Sequence, residues 1–126
     1  MQPYHRAIVA ASTYAVIAGR KVVGVYDHAA ERHLRIAAEA QGDRVQALDG
    51  DRSARFGGTL PELYDQGDGA FISLERDGGG ARGYDRGSDS FYAARVGDRM
   101  VQLYDHGQGS WFAFSIREDD GAPDGA

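Results

Sequence analysis

The sequence predicts an all-β fold: an antiparallel meander of about ten short strands that closes into a small up-and-down barrel, with a two-layer β-sandwich as the alternative. Three observations carry this expectation. Tyr-Asp recurs at 26–27, 64–65, 84–85 and 104–105, and the last three copies lie 20 residues apart. Glycine supplies 18 of the 126 residues, about twice the usual share of roughly 7%. Apolar and polar residues alternate between the glycine-bearing stretches, which is the period of a strand with one buried face.

Each Tyr-Asp opens a similar unit. The copies read YD-HAAE-RHLRI, YD-QGDG-AFISL, YD-RGSD-SFYAARV and YD-HGQG-SWFAFSI, and Leu48-Asp49 followed by GDRS-ARF is a degenerate fifth. An Asp before such a loop accepts from nearby backbone N–H groups, and Gly tolerates positive φ. Four-residue loops on a type I turn are a common hairpin class. If Asp pairs with the residue five further on, the cross-strand partners are Tyr26–His33, Tyr64–Phe71, Tyr84–Phe91 and Tyr104–Trp111. Aromatic pairs of this kind add about 0.2–1 kcal/mol each.

Taken in order, residues 7–18 form an apolar run that Ser12, Thr13 and Tyr14 interrupt. Pro3 before it and Gly19 after it are helix punctuation. The competing reading, a hairpin over 14–26 turning at Gly19-Arg20, continues the repeat and is preferred; residues 4–12 are left between helix and strand. Ala29–Ala40 contains good helix formers, but its match to the repeat predicts a strand. Further turns are expected at Gln41-Gly42-Asp43, Pro61, Asp77 to Gly80 and Gly97-Asp98, at the end opposite the Tyr-Asp loops. Gly24, Gly57, Gly58 and Gly83 fall within strands, where they predict bulges or bends.

Alternation assigns Val23, Val25, Leu34, Ile36, Leu63, Ile72, Leu74, Tyr92, Val96, Val101, Leu103, Phe112, Phe114 and Ile116 to the core. The Tyr of each Tyr-Asp and its partner fall on the other face, with Arg35, Ser73, Glu75, Arg82, Arg95, Gln102, Ser115 and Arg117. The small residues Ala81, Gly83 and Ala94 predict room inside the barrel for an apolar ligand.

The chain carries 14 Asp, 5 Glu and 14 Lys+Arg, a net charge of −5. Glu118, Asp119, Asp120 and Asp124 supply most of the excess, so residues 1–117 read as one nearly neutral β domain and 118–126 as a disordered acidic tail. No basic stripe stands out, which argues against nucleic acid. The absence of cysteine excludes a disulfide scaffold, a thiolate zinc site and a Cys nucleophile. The run at 7–18 is too short and polar for a membrane span and lacks the charged lead-in of a signal peptide, which predicts a cytoplasmic rather than a secreted protein.

Two resemblances attach to the repeat. Tyr-Asp followed by a Gly turn is similar to the YD repeats of large Rhs-type shell proteins, although the arginine that commonly follows the Gly there is absent. Gly109-Ser110-Trp111-Phe112 resembles the hairpins of choline-binding repeats, although Trp111 is the sole Trp here. Both cover a few residues per copy and carry no function over.

The functional expectation is a non-catalytic binding module. Its ligand, a small molecule, a glycan or a protein, would lie on the aromatic row of Tyr26, Tyr64, Phe71, Tyr84, Phe91, Tyr104 and Trp111 or in the barrel cavity. Tyr and Trp combine apolar area with a polar tip. The first alternative is a structural protein whose row forms a homo-oligomer interface. The second is a small enzyme in which Asp27, His28, Asp105 and His106 converge on barrel closure. No metal-binding or nucleophile spacing is present, and no cofactor is expected.

Overall fold

A computed structural model of the chain describes residues 1–119. It opens with one helix, α1 (Pro3–Ala18), followed by twelve strands. These are β1 (Val22–Asp27), β2 (Arg32–Leu34), β3 (Ile36–Gln41), β4 (Arg44–Asp49), β5 (Ala54–Thr59), β6 (Glu62–Asp65), β7 (Ala70–Ser73), β8 (Glu75–Asp77), β9 (Gly80–Asp85), β10 (Ser90–Gly97), β11 (Met100–Asp105) and β12 (Ser110–Glu118). The strands pair antiparallel in the circular order β10-β11-β12-β1-β3-β4-β5-β6-β7-β9, and β9 pairs with β10 to close a ring of ten. β2 precedes β3 across Arg35 and pairs with β1; β8 follows β7 across Leu74 and pairs with β9. The closed barrel is therefore present and the sandwich is not.

The repeat fixes the register. The paired residues are Tyr26↔His33, Tyr64↔Phe71, Tyr84↔Phe91 and Tyr104↔Trp111. Leu48↔Arg55 occupies the equivalent place in the fifth hairpin. In every loop the fourth residue after Asp has positive φ: Glu31 (54°), Ser53 (52°), Gly69 (66°), Asp89 (53°) and Gly109 (65°). Only two of these five are glycine, so the loop conformation is imposed by the hairpin as much as by glycine's freedom.

The five hairpins are stitched to one another in the same way. The N–H after each Asp donates to a carbonyl of the neighbouring hairpin: Gly50 to Arg35, Gln66 to Arg55, Arg86 to Phe71, His106 to Phe91 and His28 to Ala113, at 2.6–3.1 Å. The circuit returns to its start, and no hairpin of the ring is left with an unpaired edge.

The amino-terminal segment departs from the preferred reading. Residues 14–18 are the end of α1 rather than a strand, and Gly19, at φ 67°, is its C-cap, with its N–H bonded to Ala15 O. The helix runs through the barrel. His5 to Ala15 are all buried, and Ala7, Ile8, Val9, Ala10 and Ala11 have no exposed surface. Sixteen residues make a rod of about 24 Å, close to the roughly 20 Å of a six-residue strand. Eight-stranded barrels are filled by side chains alone, and a wider ring leaves more room inside. Here α1 fills it, against walls of small residues: Ala38, Ala47, Ala81 and Ala94 are buried with the helix in one core. The interior expected to receive an apolar ligand is thus occupied by the chain's own helix.

Alternation sorts most of the core as expected, with one slip. Val22 is buried and Val23 half-buried, because the pairing of β1 with β12 shifts between Val22 and Gly24. Such a bulge inverts the in-out order for the residues before it. Gly83 sits where strands approach closely: a Cβ there would lie 1.9 Å from Ser73 O. At the far end β12 continues through Glu118, one residue past the expected limit of the domain; the remainder of the acidic tail from 120 onward lies outside the described residues.

Candidate functional site

Tyr and Asp are neighbours in sequence, so a strand sends them to opposite faces. The five repeat acids Asp27, Asp49, Asp65, Asp85 and Asp105 all point inward and are buried. Each accepts, through Oδ1, the N–H two residues on: Ala29, Asp51, Gly67, Gly87 and Gly107, at 2.9–3.2 Å. This is the turn chemistry expected of Asp, made in all five copies.

The second carboxylate oxygens of Asp65, Asp85 and Asp105 face the amino-terminal end of α1, whose dipole favours negative charge. His5 Nε2 is 2.6 Å from Asp65 Oδ2 and its Nδ1 is 3.9 Å from Asp85. Arg6 and the Met1 nitrogen each lie 3.2 Å from Asp105 Oδ2, and the Arg6 guanidinium covers the Phe112 ring at 3.8 Å. Arg52, from the fifth hairpin, reaches Asp49 at 2.8 Å, Asp65 at 3.2 Å and Asp68 at 3.6 Å, and stacks on Tyr4. The Tyr4 hydroxyl donates to Asp68 at 2.5 Å, and that bond raises its pKa. Burial works to raise the Asp65 carboxyl, but the bonds and charges of His5 and Arg52 outweigh it and hold Asp65 below the usual carboxylate range.

His5, Asp65 and Asp68 present ligand atoms within 4.8 Å of one another, the geometry of a cation site. The positive charge such a site would attract is already supplied by Arg52, which bonds Asp65 and pairs with Asp68 at 3.6 Å, and by α1. The arrangement acts as an internal clamp that fixes the helix in the barrel. At the opposite end, the Tyr14 hydroxyl donates to Glu118 at 2.5 Å, and Arg20 and Arg99 lie 3.7 and 3.5 Å from the same carboxylate.

The aromatic row lies on the outer face. Ring centroids are 4.7 Å apart for Tyr26–His33, 4.8 Å for Tyr64–Phe71, 4.7 Å for Tyr84–Phe91 and 5.2 Å for Tyr104–Trp111. The exposed large apolar residues all belong to it or to its fifth copy: Phe91 63%, Trp111 51%, Leu48 45%, Phe71 43% and Tyr64 38%. Across each junction between hairpins, the Tyr or Leu faces a small residue: Tyr26↔Ser115, Leu48↔Ala37, Tyr64↔Gly57 and Tyr104↔Ala93, while the Tyr84 N–H bonds Ser73 Oγ. Ridges of paired rings thus alternate with hollows around the barrel.

One hollow of about 650 Å³ lies against Tyr104 and Trp111, floored by Gly79 and Ala93 and rimmed by Asp77, Arg95 and His106. The Arg95 guanidinium is 5.4 Å from the Trp111 ring centre. The histidines and acids expected to converge do not share a face. Asp27 and Asp105 point inward, whereas His28 and His106 are exposed, His28 bonding Ser115 Oγ at 2.7 Å and His106 lying edge-on to Tyr104.

Residue reading alone missed His5 and Arg52. His5 stands in no motif, and its role follows only once α1 is inside the ring; Arg52 carried a weak signal, being three residues after Asp49 in the one copy without Tyr. No helix among the described residues is long and apolar enough to cross a membrane. Compared with known proteins, the chain matches no family model, no curated protein and no solved structure.

Proposed function

We propose that this protein is a non-catalytic binding module whose ligand lies across the outer aromatic row, centred on Tyr104 and Trp111. The observation that carries the reading is the outward exposure of paired rings at the same height in four of five hairpins. Exposed aromatic rings repeated at one height are suited to an interaction surface. The barrel interior is filled by α1. The Tyr104–Trp111 hollow supplies the ring faces of two aromatic residues set edge-to-face, with Arg95, Asp77 and His106 lining it, a combination suited to stacking a sugar ring and bonding its hydroxyls.

Trp111 is the sole Trp, so its fluorescence reports directly on occupancy. Titration with a panel of neutral soluble oligosaccharides should shift the emission, and Tyr104→Ala with Trp111→Ala should abolish binding by calorimetry while leaving the thermal unfolding transition in place. Unchanged binding by the double variant would remove this surface from the function. A second reading, assembly of copies through the same row, is favoured by the exposure of Phe91 and Trp111 on adjacent hairpins. Light scattering at high concentration decides it: a strict monomer excludes it.

A further inference from the structure

We infer that a second hollow, on the outer face of β3 to β6, binds an acidic sugar, a pyranose ring carrying a carboxylate. The inference rests on the reading of the outer face as a binding surface, but it places a different ligand at a different position from Trp111. The hollow measures about 620 Å³. Its floor is open because Gly57 and Gly58 have no side chains, and Gly57 is required there for packing reasons, since a Cβ would lie 2.2 Å from Val45 O. Gln46 faces Gly57 from one side and Tyr64 faces it from the other. Leu48↔Arg55 closes the end nearest the Tyr-Asp loops and Arg44↔Thr59 the opposite end. Arg44, Gln46 and Leu48 alternate along one strand, so the outward side chains span about 13 Å.

Charge selects the ligand. The five inward acids remove negative charge from the surface, while of the lysines and arginines Arg6 and Arg52 turn toward them. The outer shell of residues 1–117 is therefore left with more bases than acids, although the sequence over that stretch is nearly neutral. Most outer arginines are matched: Arg35 by Asp51, Arg76 by Asp43, Arg82 by Glu75 and Arg86 by Glu62. Arg32, Arg44, Arg55, Arg95 and Arg117 have no ion-pair partner among the described residues, and of these Arg44 and Arg55 line this hollow, together with Lys21. A guanidinium prefers a carboxylate that it can bond through two N–H groups. A bare anion would leave the exposed faces of Tyr64 and Leu48 unused, whereas a sugar ring covers them, and the Gln46 and Gln66 amides match its hydroxyls. Glu39, paired with Gln46 at the rim, opposes a polyanion of closely spaced phosphates.

Calorimetry on the full chain tests this with three probes: trigalacturonate, its methyl ester and inorganic polyphosphate. The expected result is binding of trigalacturonate, with at least tenfold weaker binding of the ester. Arg55→Gln and Arg44→Gln should each weaken trigalacturonate at least tenfold and Trp111→Ala should leave it unchanged, with unfolding transitions intact. Equal binding of the ester, or an unaffected Arg55→Gln, overturns the inference. Polyphosphate binding as tightly as trigalacturonate, with the same arginine dependence, overturns it too, since the patch is then a general anion surface. Neutral oligosaccharides binding through Trp111 with no uptake of trigalacturonate also overturns it, and leaves the proposed function standing.

Discussion

The two residues of each Tyr-Asp repeat have opposite fates. The five Asp residues are buried, bonded to their own loops and, at Asp49, Asp65 and Asp105, tied to Arg52, His5 and Arg6. The Tyr residues lie on the outer face, each against one cross-strand ring or, in the fifth hairpin, replaced by Leu48 with Arg55 opposite. The inner position is Asp in every copy, while the outer position varies among Tyr and Leu, with His, Arg, Phe and Trp as partners. The difference separates what builds the barrel from what is free to recognise something else.

Five substitutions at four positions break or sharpen this contrast. The largest effect is expected at Asp65. Asp65→Ala leaves His5 and Arg52 short of a buried partner and should cost about 3–5 kcal/mol in a denaturant titration. The same residue sets an acid dependence. Its folded pKa lies below the unfolded value, so its contribution is present above the ordinary Asp range, near pH 4, and is lost as pH falls through the folded value. Asp65→Asn should therefore show a shallower fall of stability below about pH 4 than the wild type.

Next in size is the fit of α1. Ala10 has no exposed surface within the ring; Ala10→Leu should cost about 1–3 kcal/mol by overpacking, read as a lowered Tm, and an unchanged Tm would mean the helix is less tightly held than the burial implies. In the opposite direction, Glu31 holds a positive φ of 54° in a place taken by Gly in two other copies. Glu31→Gly should stabilise by about 0.5–1 kcal/mol, because the left-handed strain relieved exceeds the entropy lost. The smallest change in stability is expected outside: Trp111→Ala should cost about 0.2–1 kcal/mol, the value of one cross-strand pair, while removing ligand binding at that hollow.

The hairpins were legible because Tyr, Asp and the loop residue with positive φ recur at fixed offsets, so one register served every copy, including the degenerate one at Leu48-Asp49. Closure of the ring was legible from the number of strands with one apolar face. The helix was not, for a physical reason. A helix buried on every side, polar residues included, lacks the 3.6-residue apolar stripe that identifies a surface helix, and its enclosure depends on a barrel built by the strands that follow it. Pro3 and Gly19 marked its ends, and Ala81 and Ala94 marked the space for it, but those signals lie far apart in the chain. His5 was illegible for the same reason: its partners Asp65 and Asp85 come from two separate hairpins. Arg44 and Arg55 could not be recognised as unmatched until the fold showed which acids turn inward.

The ring closes where its two ends in sequence meet. β1, the first strand, is sealed to β12, the last one described, with Val22 opposite Glu118. Local hairpins can form early, but that junction joins segments almost the whole domain apart, and contacts of such long range are slow to form. The helix occupies the space the ring encloses, so α1 must be in place before β1 and β12 meet, or enter afterwards through an open end of the barrel. The seam beside β1 is therefore the gate of assembly, and the time needed to fold should be governed there rather than in any of the repeated hairpins.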